Sequence, residues 1–162
     1  MSASRLAIAF AAIFFLSIPA GVGLAHASDI RAELAYYTTG SGFWVVQIRN
    51  VGPTIPGPVQ SKFSLSIPAG AKIPNWTLNG WQCSPSPPLK GAATINCQIT
   101  LSGAWAAGTI LSNQLFYTAG AFARPGAVAA RACVRALLLL PDASGTFQPA
   151  AETNTTNNSV CA

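Results

Sequence analysis

The sequence has one histidine, His26, and one methionine, at its first position. His26 falls in an N-terminal segment that we expect to be removed, so the working protein would contain no histidine. Histidine is the commonest general base near neutral pH and the commonest neutral metal ligand. A serine or cysteine nucleophile would lack its usual partner. We therefore predict a protein that is not an enzyme and has no cofactor or metal.

Charge is also scarce: Lys, Arg, Asp and Glu make up 8% of the chain, whereas 51% is hydrophobic. Globular proteins average about 25% charged residues, and disordered chains have the opposite balance. The net charge is +5, but the basic residues are scattered and form no cluster that would follow a phosphate backbone. We predict no nucleic-acid partner, and the positive excess favours weak attraction to anionic envelopes or polysaccharides.

The acidic residues are few and separate, namely Asp29, Glu33, Asp142 and Glu152. A glycosidase needs two carboxylates facing each other across a cleft, and no such pair is visible. In the polar turn at 152–158, calcium is an alternative interpretation, but only Glu152 is a local carboxylate. We expect the asparagines of this turn to bond their own backbone.

The N-terminus has the pattern of a secretory signal. Arg5 precedes an apolar run at 6–24, and Ala25, His26 and Ala27 give the small-x-small pattern of a cleavage site. A signal anchor is the alternative. We predict a signal peptide at 1–27 and one domain at 28–162. The protein would then be secreted, periplasmic or at the cell surface, with no membrane span after signal cleavage, because no later apolar run reaches about 20 residues.

All four cysteines fall in the predicted domain: Cys83, Cys97, Cys133 and Cys161. In an exported chain they predict two disulfides, and no CxxC pair supports a metal site. Four cysteines allow three pairings. The loop at 84–88 returns the chain so that Cys83 and Cys97 lie on adjacent strands. Cys133 and Cys161 would then tie the last strand to its neighbour.

Hydrophobic alternation predicts strands along most of the domain. It is clearest in two segments, where Trp44, Val46 and Ile48, and then Phe63, Leu65 and Ile67, alternate with polar residues. Further strands are expected at 30–37, from 76 to 83, at 94–99, at 109–118 with Leu111, Leu115 and Tyr117 on one face, and near the C-terminus. The segment 128–140 fits a strand or a helix, and the strand count favours a strand. Turns are expected at 38–42 and 106–108, and a loop at 120–126.

About seven strands, frequent turns and two disulfides predict an all-β fold, an immunoglobulin-like antiparallel β-sandwich. Two of the four tryptophans have a clear place: Trp44 in the core and Trp81 packed on the Cys83–Cys97 bond. Trp76 and Trp105 fit neither face. They are candidate ligand-binding residues that would stack on sugar rings or anchor a protein. Alternatively, they fold onto the edge of the sandwich.

Several motifs occur in the order found in one family. They are Asn50-Val51-Gly52-Pro53, Pro68-Ala69-Gly70, Trp81-Gln82-Cys83 with Cys97, Ala107-Gly108, and the turn from Glu152 to Asn158. The chain thus resembles the immunoglobulin-like repeats of bacterial surface proteins that are related to CARDB, the cell-adhesion-related domain of bacteria. The resemblance implies an immunoglobulin-like fold and an adhesive or structural role, and it brings no catalytic residues.

The sequence thus predicts a secreted or surface-associated, non-catalytic module with a structural, adhesive or protein-binding role. The alternative is a carbohydrate-binding module that uses exposed aromatic residues. The partner would be an unknown extracellular protein or polysaccharide. The ligand and the oligomeric state stay open.

Overall fold

The computed structural model describes residues 28–37, 42–119 and 131–162, and this part of the chain is all-β. The predicted signal peptide, most of the turn at 38–42, the loop at 120–126 and the start of the segment 128–140 lie outside the described residues. The strands are β1 (Ile30–Tyr37), β2 (Phe43–Asn50), β3 (Val59–Ile67), β4 (Lys72–Ile73), β5 (Trp76–Thr77), β6 (Gln82–Ser84), β7 (Leu89–Lys90), β8 (Ala93–Leu101), β9 (Gln114–Tyr117), β10 (Cys133–Pro141), β11 (Phe147–Pro149) and β12 (Ser159–Cys161). Among the described residues, a 3₁₀ turn spans Thr156–Asn158.

The strands form two main antiparallel sheets. The smaller sheet has the order β1-β2-β9-β5, and the larger has the order β11-β10-β3-β8-β6, with β12 beside β10. Strands β4 and β7 form a separate pair. The sequence predicted about seven strands. The described residues contain twelve, because the turns divide the chain into several strands of only two or three residues.

The core lies between the two sheets. Trp44 and Ile48 of β2 and Phe63 and Leu65 of β3 are buried, as their alternation predicted. The ring of Phe63 meets that of Phe116 of β9 edge-on, with centroids 6.3 Å apart, so the two layers touch directly. The residues at the alternate positions face outward, and in β3 they are polar.

Two predictions about single strands were wrong. The segment from 76 to 83 is not one strand: Trp76–Thr77 joins the smaller sheet and Gln82–Ser84 the larger. Gly80, with a φ of 81°, turns the chain between the sheets in a backbone conformation that suits glycine. In the segment 109–118 only Gln114–Tyr117 forms a strand, because Ser112 has a φ of 48° and breaks the alternation.

The two disulfides join Cys83 to Cys97 and Cys133 to Cys161, as the strand order predicted. Each bond links residues that are directly opposite in adjacent antiparallel strands. Disulfides are typical of proteins that fold in an oxidising compartment. In the part of the chain that the structure describes, no helix has the length and apolar character to span a bilayer.

The C-terminal turn closes the sandwich against β1. Among its asparagines, Asn154 bonds local backbone as expected, accepting from the amide of Thr156 at 3.0 Å. Asn157 donates instead to Asp29 at 2.9 Å, and Asn158 donates to both carboxylate oxygens of Glu152 at 3.0 Å. The bond from Asn157 to Asp29 joins the first and last segments of the domain, whereas the bonds from Asn158 to Glu152 close the turn itself. The asparagines therefore contribute more than bonds to their own backbone.

Candidate functional site

A groove of about 730 Å³ lies on the outer face of the larger sheet. It crosses β10, β3, β8 and β6 and is open to solvent along its length. Its volume falls within the range of about 300–1,000 Å³ that is common for ligand sites. The groove is a concave surface of ligand-site size among the described residues, and we take it as the candidate functional site.

Strand alternation places polar side chains in this groove. In β3, Phe63 and Leu65 are buried in the core, so the intervening Lys62 and Ser64 face outward. Residues directly opposite each other on adjacent strands share a face, so the register continues the polar surface onto the neighbouring strands. The groove floor consequently has two rows of outward-facing side chains.

The first row contains Arg135, Ser64, Asn96 and Ser84, one from each of β10, β3, β8 and β6. Within it, the hydroxyl of Ser64 donates a hydrogen bond to Oδ1 of Asn96 at 2.7 Å. This bond fixes the side-chain amide of Asn96 so that its NH₂ group remains for a ligand. The row thus offers a guanidinium group, an oriented amide and two hydroxyl groups.

The second row contains Leu137, Lys62, Gln98 and Gln82 in the same strand order. The side-chain amides of Gln82 and Gln98 are exposed, and within the described residues they form no hydrogen bond. Leu137 is the one exposed large apolar side chain of the groove, at 40% exposure. This row therefore adds an ammonium group, two free amides and a single apolar contact.

The disulfide Cys83–Cys97 stabilises the strand at one end of the groove. It fastens the three-residue edge strand β6 to β8, between the two rows of outward-facing side chains. Below it, Phe63 packs on Trp81, with ring centroids 4.8 Å apart. The bond and the aromatic pair together keep a short edge strand in register, which gives the groove a rigid floor.

The charge of the groove is positive. Neither Lys62 nor Arg135 forms an ion pair within the described residues, where both ion pairs belong to Glu33 on the other sheet. None of the four carboxylates of the domain lines the groove. The two cations are therefore free to attract an anionic ligand.

The carboxylates serve elsewhere in the fold. Partial burial tends to raise the pKa of Glu33, but hydrogen bonds and charge from Arg49 and Arg31 outweigh it and lower that pKa. Hydrogen bonds from Ser144 and Thr146 lower the pKa of Asp142 in its exposed turn. Burial raises the pKa of Glu152, and the bonds from Asn158 offset this only in part.

Trp105, one of the two candidate ligand-binding tryptophans, is not available to a ligand. It is 2% exposed, and its indole Nε1 donates to the carbonyl of Thr109 at 3.3 Å. The backbone of Trp105 also pairs with Ile55, which draws its loop onto the core. Of the two interpretations of Trp105, its burial fits the one in which it folds onto the sandwich. A loop position without strand alternation gave no signal of which interpretation applies.

Trp76 is half-buried and packs edge-on against Phe116, with centroids 5.8 Å apart. It lies in the smaller sheet, away from the groove, so the structure does not bring Trp76 and Trp105 together into one site. Its role in ligand binding stays a prediction. Trp44 and Trp81 are buried, and Trp44 lies in the core as expected.

A row of aromatic side chains, which the sequence analysis missed, crosses the outer face of the smaller sheet. Tyr37, Phe43 and Tyr117 are directly opposite one another on β1, β2 and β9. The ring centroids of Tyr37 and Phe43 are 5.4 Å apart, and Tyr37 is 49% exposed. The signal was present, because an inward Trp44 requires Phe43 to face outward. The pairing across three strands was not visible.

The groove can donate and accept hydrogen bonds and attract anions. No group of three or more His, Cys, Asp or Glu residues that would hold a metal ion occurs within 28–37, 42–119 and 131–162. No protein-family model, curated protein or solved structure matches the chain.

Proposed function

We propose that this protein is a secreted or surface-associated, non-catalytic immunoglobulin-like module, and that the groove on its larger sheet is the recognition surface for an extracellular partner. The observation that carries the proposal is the concentration of free polar groups and unpaired cations in one concave face. The resemblance to the CARDB-related repeats of bacterial surface proteins supports an adhesive or structural role. The disulfides support export.

Paired capture experiments test the groove. The protein, produced from the full chain in an oxidising host, is immobilised as wild type, as Ser64→Trp and as Thr77→Trp. Ser64 lies on the groove floor, whereas Thr77 is exposed on the edge strand of the opposite sheet, so the second variant is the matched control. We expect one envelope or extracellular component to be retained by the wild type and the control and lost from Ser64→Trp.

Thermal unfolding of each variant separates loss of binding from loss of folding, and Arg135→Gln provides a milder change in the same groove. If all variants retain the same components as the wild type, the groove is not the recognition surface and the proposal is wrong.

The second candidate is a carbohydrate-binding module that uses exposed aromatic side chains, and the row of Tyr37, Phe43 and Tyr117 is the observation that favours it. Aromatic rings offer large rigid surfaces to sugars and proteins. Here Tyr37→Ala would abolish binding on a glycan array, whereas Val51→Ala, a change at another exposed apolar residue, would not. Unchanged binding by Tyr37→Ala would remove this candidate.

A further inference from the structure

We propose that the groove binds an acidic polysaccharide, whose carboxylate groups are recognised by Lys62 and Arg135. This inference rests on the proposed function of the groove and names its ligand class. Three features of this surface support it: the positive charge, the free hydrogen-bonding groups, and the lack of exposed aromatic rings in the groove.

The charge comes from two strands that the register brings together. Arg135 of β10 is opposite Ser64, and Leu137 of the same strand is opposite Lys62, so the two cations occupy diagonal positions on adjacent strands. Diagonal neighbours in an antiparallel pair have Cα atoms about 7–8 Å apart, within reach of long side chains. Two cations at this spacing, without a carboxylate to neutralise them, form a site for a ligand with regularly placed anions.

The polar groups suit a ligand rich in hydroxyls. Side-chain amides both donate and accept hydrogen bonds, as sugar hydroxyls do. Gln82 and Gln98 have both functions free within the described residues, and Asn96 keeps its NH₂ group because Ser64 occupies its oxygen. The amides lie beside the cations across the same face, so a chain that alternates hydroxyl and carboxylate groups would engage both.

The groove lacks the exposed aromatic rings that would hold a neutral sugar. Neutral sugars are commonly held by stacking on aromatic rings. Phe63, the one aromatic residue that lines the groove, has its ring in the core against Trp81 and Phe116. Charge must therefore supply the affinity that stacking cannot.

An extended peptide is also less suited to this face. Peptides that add to a sheet need a free strand edge of some length. The backbone of β3 is paired on both sides, and the edge strand β6 at the end of the groove has only three residues, which pair with 96–98 of β8. Apolar anchors of a peptide would find only Leu137 exposed among the lining side chains.

Binding of polygalacturonate oligosaccharides, measured by calorimetry at low salt, tests the inference. Fully methyl-esterified oligosaccharides of the same length are the neutral control, because they keep the sugar chain and lose the negative charge. We expect the protein to bind the acidic chain and not the esterified one. Added salt should weaken the binding, since exposed charges are screened.

Charge-matched variants then locate the site. Lys62→Gln with Arg135→Gln should weaken the binding about tenfold, from an expected loss of about threefold for each charge pair with the ligand. Lys72→Gln with Lys90→Gln removes the same charge from the separate β4–β7 pair and should leave the affinity within about twofold. Thermal unfolding confirms that both double variants are folded.

The outcomes separate this inference from the proposed function. Equal loss in both double variants would show only a general charge effect and overturn the proposal. Equal binding of the esterified chain, binding that Tyr37→Ala abolishes, or no binding of polygalacturonate would also overturn it. If Ser64→Trp still loses a partner in the capture experiment under any of these outcomes, the groove remains the recognition surface and only the ligand class is wrong. If the captured component is a protein, the ligand class is a peptide and the acidic-polysaccharide proposal is wrong.

Discussion

Gly57, in the loop between β2 and β3, allows this loop to pack closely against the loop after β8. A Cβ atom at Gly57 would overlap the backbone carbonyl of Gly103, in the loop after β8. No flexible side chain is in the way, so the backbone itself would have to move. The absence of a side chain is therefore a structural requirement at this position.

Gly57→Ala should destabilise the protein by about 1–3 kcal/mol, the usual cost of overpacking. Gly103→Ala is the matched control, because a Cβ there meets nothing within 4 Å, and it should change the free energy of unfolding by less than about 1 kcal/mol. Urea unfolding of both variants measures the difference. Equal effects would contradict the close approach of the two loops.

Two glutamates should affect stability with opposite dependence on pH. The pKa of Glu33 is lowered from 4.5, so its stabilisation is present above that value and is lost as the pH falls through the lowered pKa. The pKa of Glu152 is raised from 4.5, so the protonated form is favoured on folding, and stability is lost as the pH rises through the raised pKa.

We expect Glu33→Gln to be less stable than the wild type near neutral pH, with the difference shrinking in acid. Glu152→Gln should instead gain stability relative to the wild type as the pH rises to neutrality. Unfolding curves across the acid range measure both differences. Parallel pH profiles for the two variants would contradict the contrast between an ion-paired and a buried carboxylate.

At the scale of elements, long amphipathic strands were predictable and short ones were not. In Phe43–Asn50 and Val59–Ile67 the alternation extends over several residues, so the buried face could be identified from the sequence. Trp76–Thr77 and Gln82–Ser84 are too short to show a period, and the turn at Gly80 sends them to different sheets.

Disulfides stabilise the shortest elements. The bond Cys133–Cys161 fastens the three-residue strand β12 to β10, across a sequence separation of 28 residues. Replacing both cysteines by alanine should cost about 3.5 kcal/mol in the chain-entropy model. In this variant the amide hydrogens of β12 should exchange faster than in the wild type. The amides of β3 and β8 should still exchange slowly.

The matched control is Cys83→Ala with Cys97→Ala, which opens a separation of 14 residues and should cost about 3 kcal/mol. Here the faster exchange should appear in β6 and not in β12. Identical exchange patterns in the two double variants would contradict the assignment of each bond to its own strand.

At the scale of the whole molecule, the candidate site depends on strand order. Lys62 and Arg135 are 73 positions apart in the sequence, and they meet only because β10 lies beside β3. Hydrophobic alternation around Phe63 and Leu65 indicates that Lys62 faces outward, but alternation carries no information on which strands are neighbours. The fold class could thus be derived from the sequence, whereas the groove could not.

The same limit explains the tryptophans. Trp44 lies in a periodic strand and was placed correctly in the core, whereas Trp105 lies in a loop whose burial depends on Ile55 and Asn50, far away in sequence. The free hydrogen-bonding groups and cations lie on the larger sheet, in a groove that neither Trp76 nor Trp105 lines.

The central claim is that the outer face of the larger sheet binds an acidic polysaccharide through Lys62 and Arg135. Backbone chemical-shift mapping of the protein with polygalacturonate oligosaccharides tests it most directly. We predict that the perturbed amides cluster in β3, β8 and β10, around Lys62, Gln98 and Arg135. Perturbations confined to the aromatic row of the smaller sheet, or none in the larger sheet, would contradict the account.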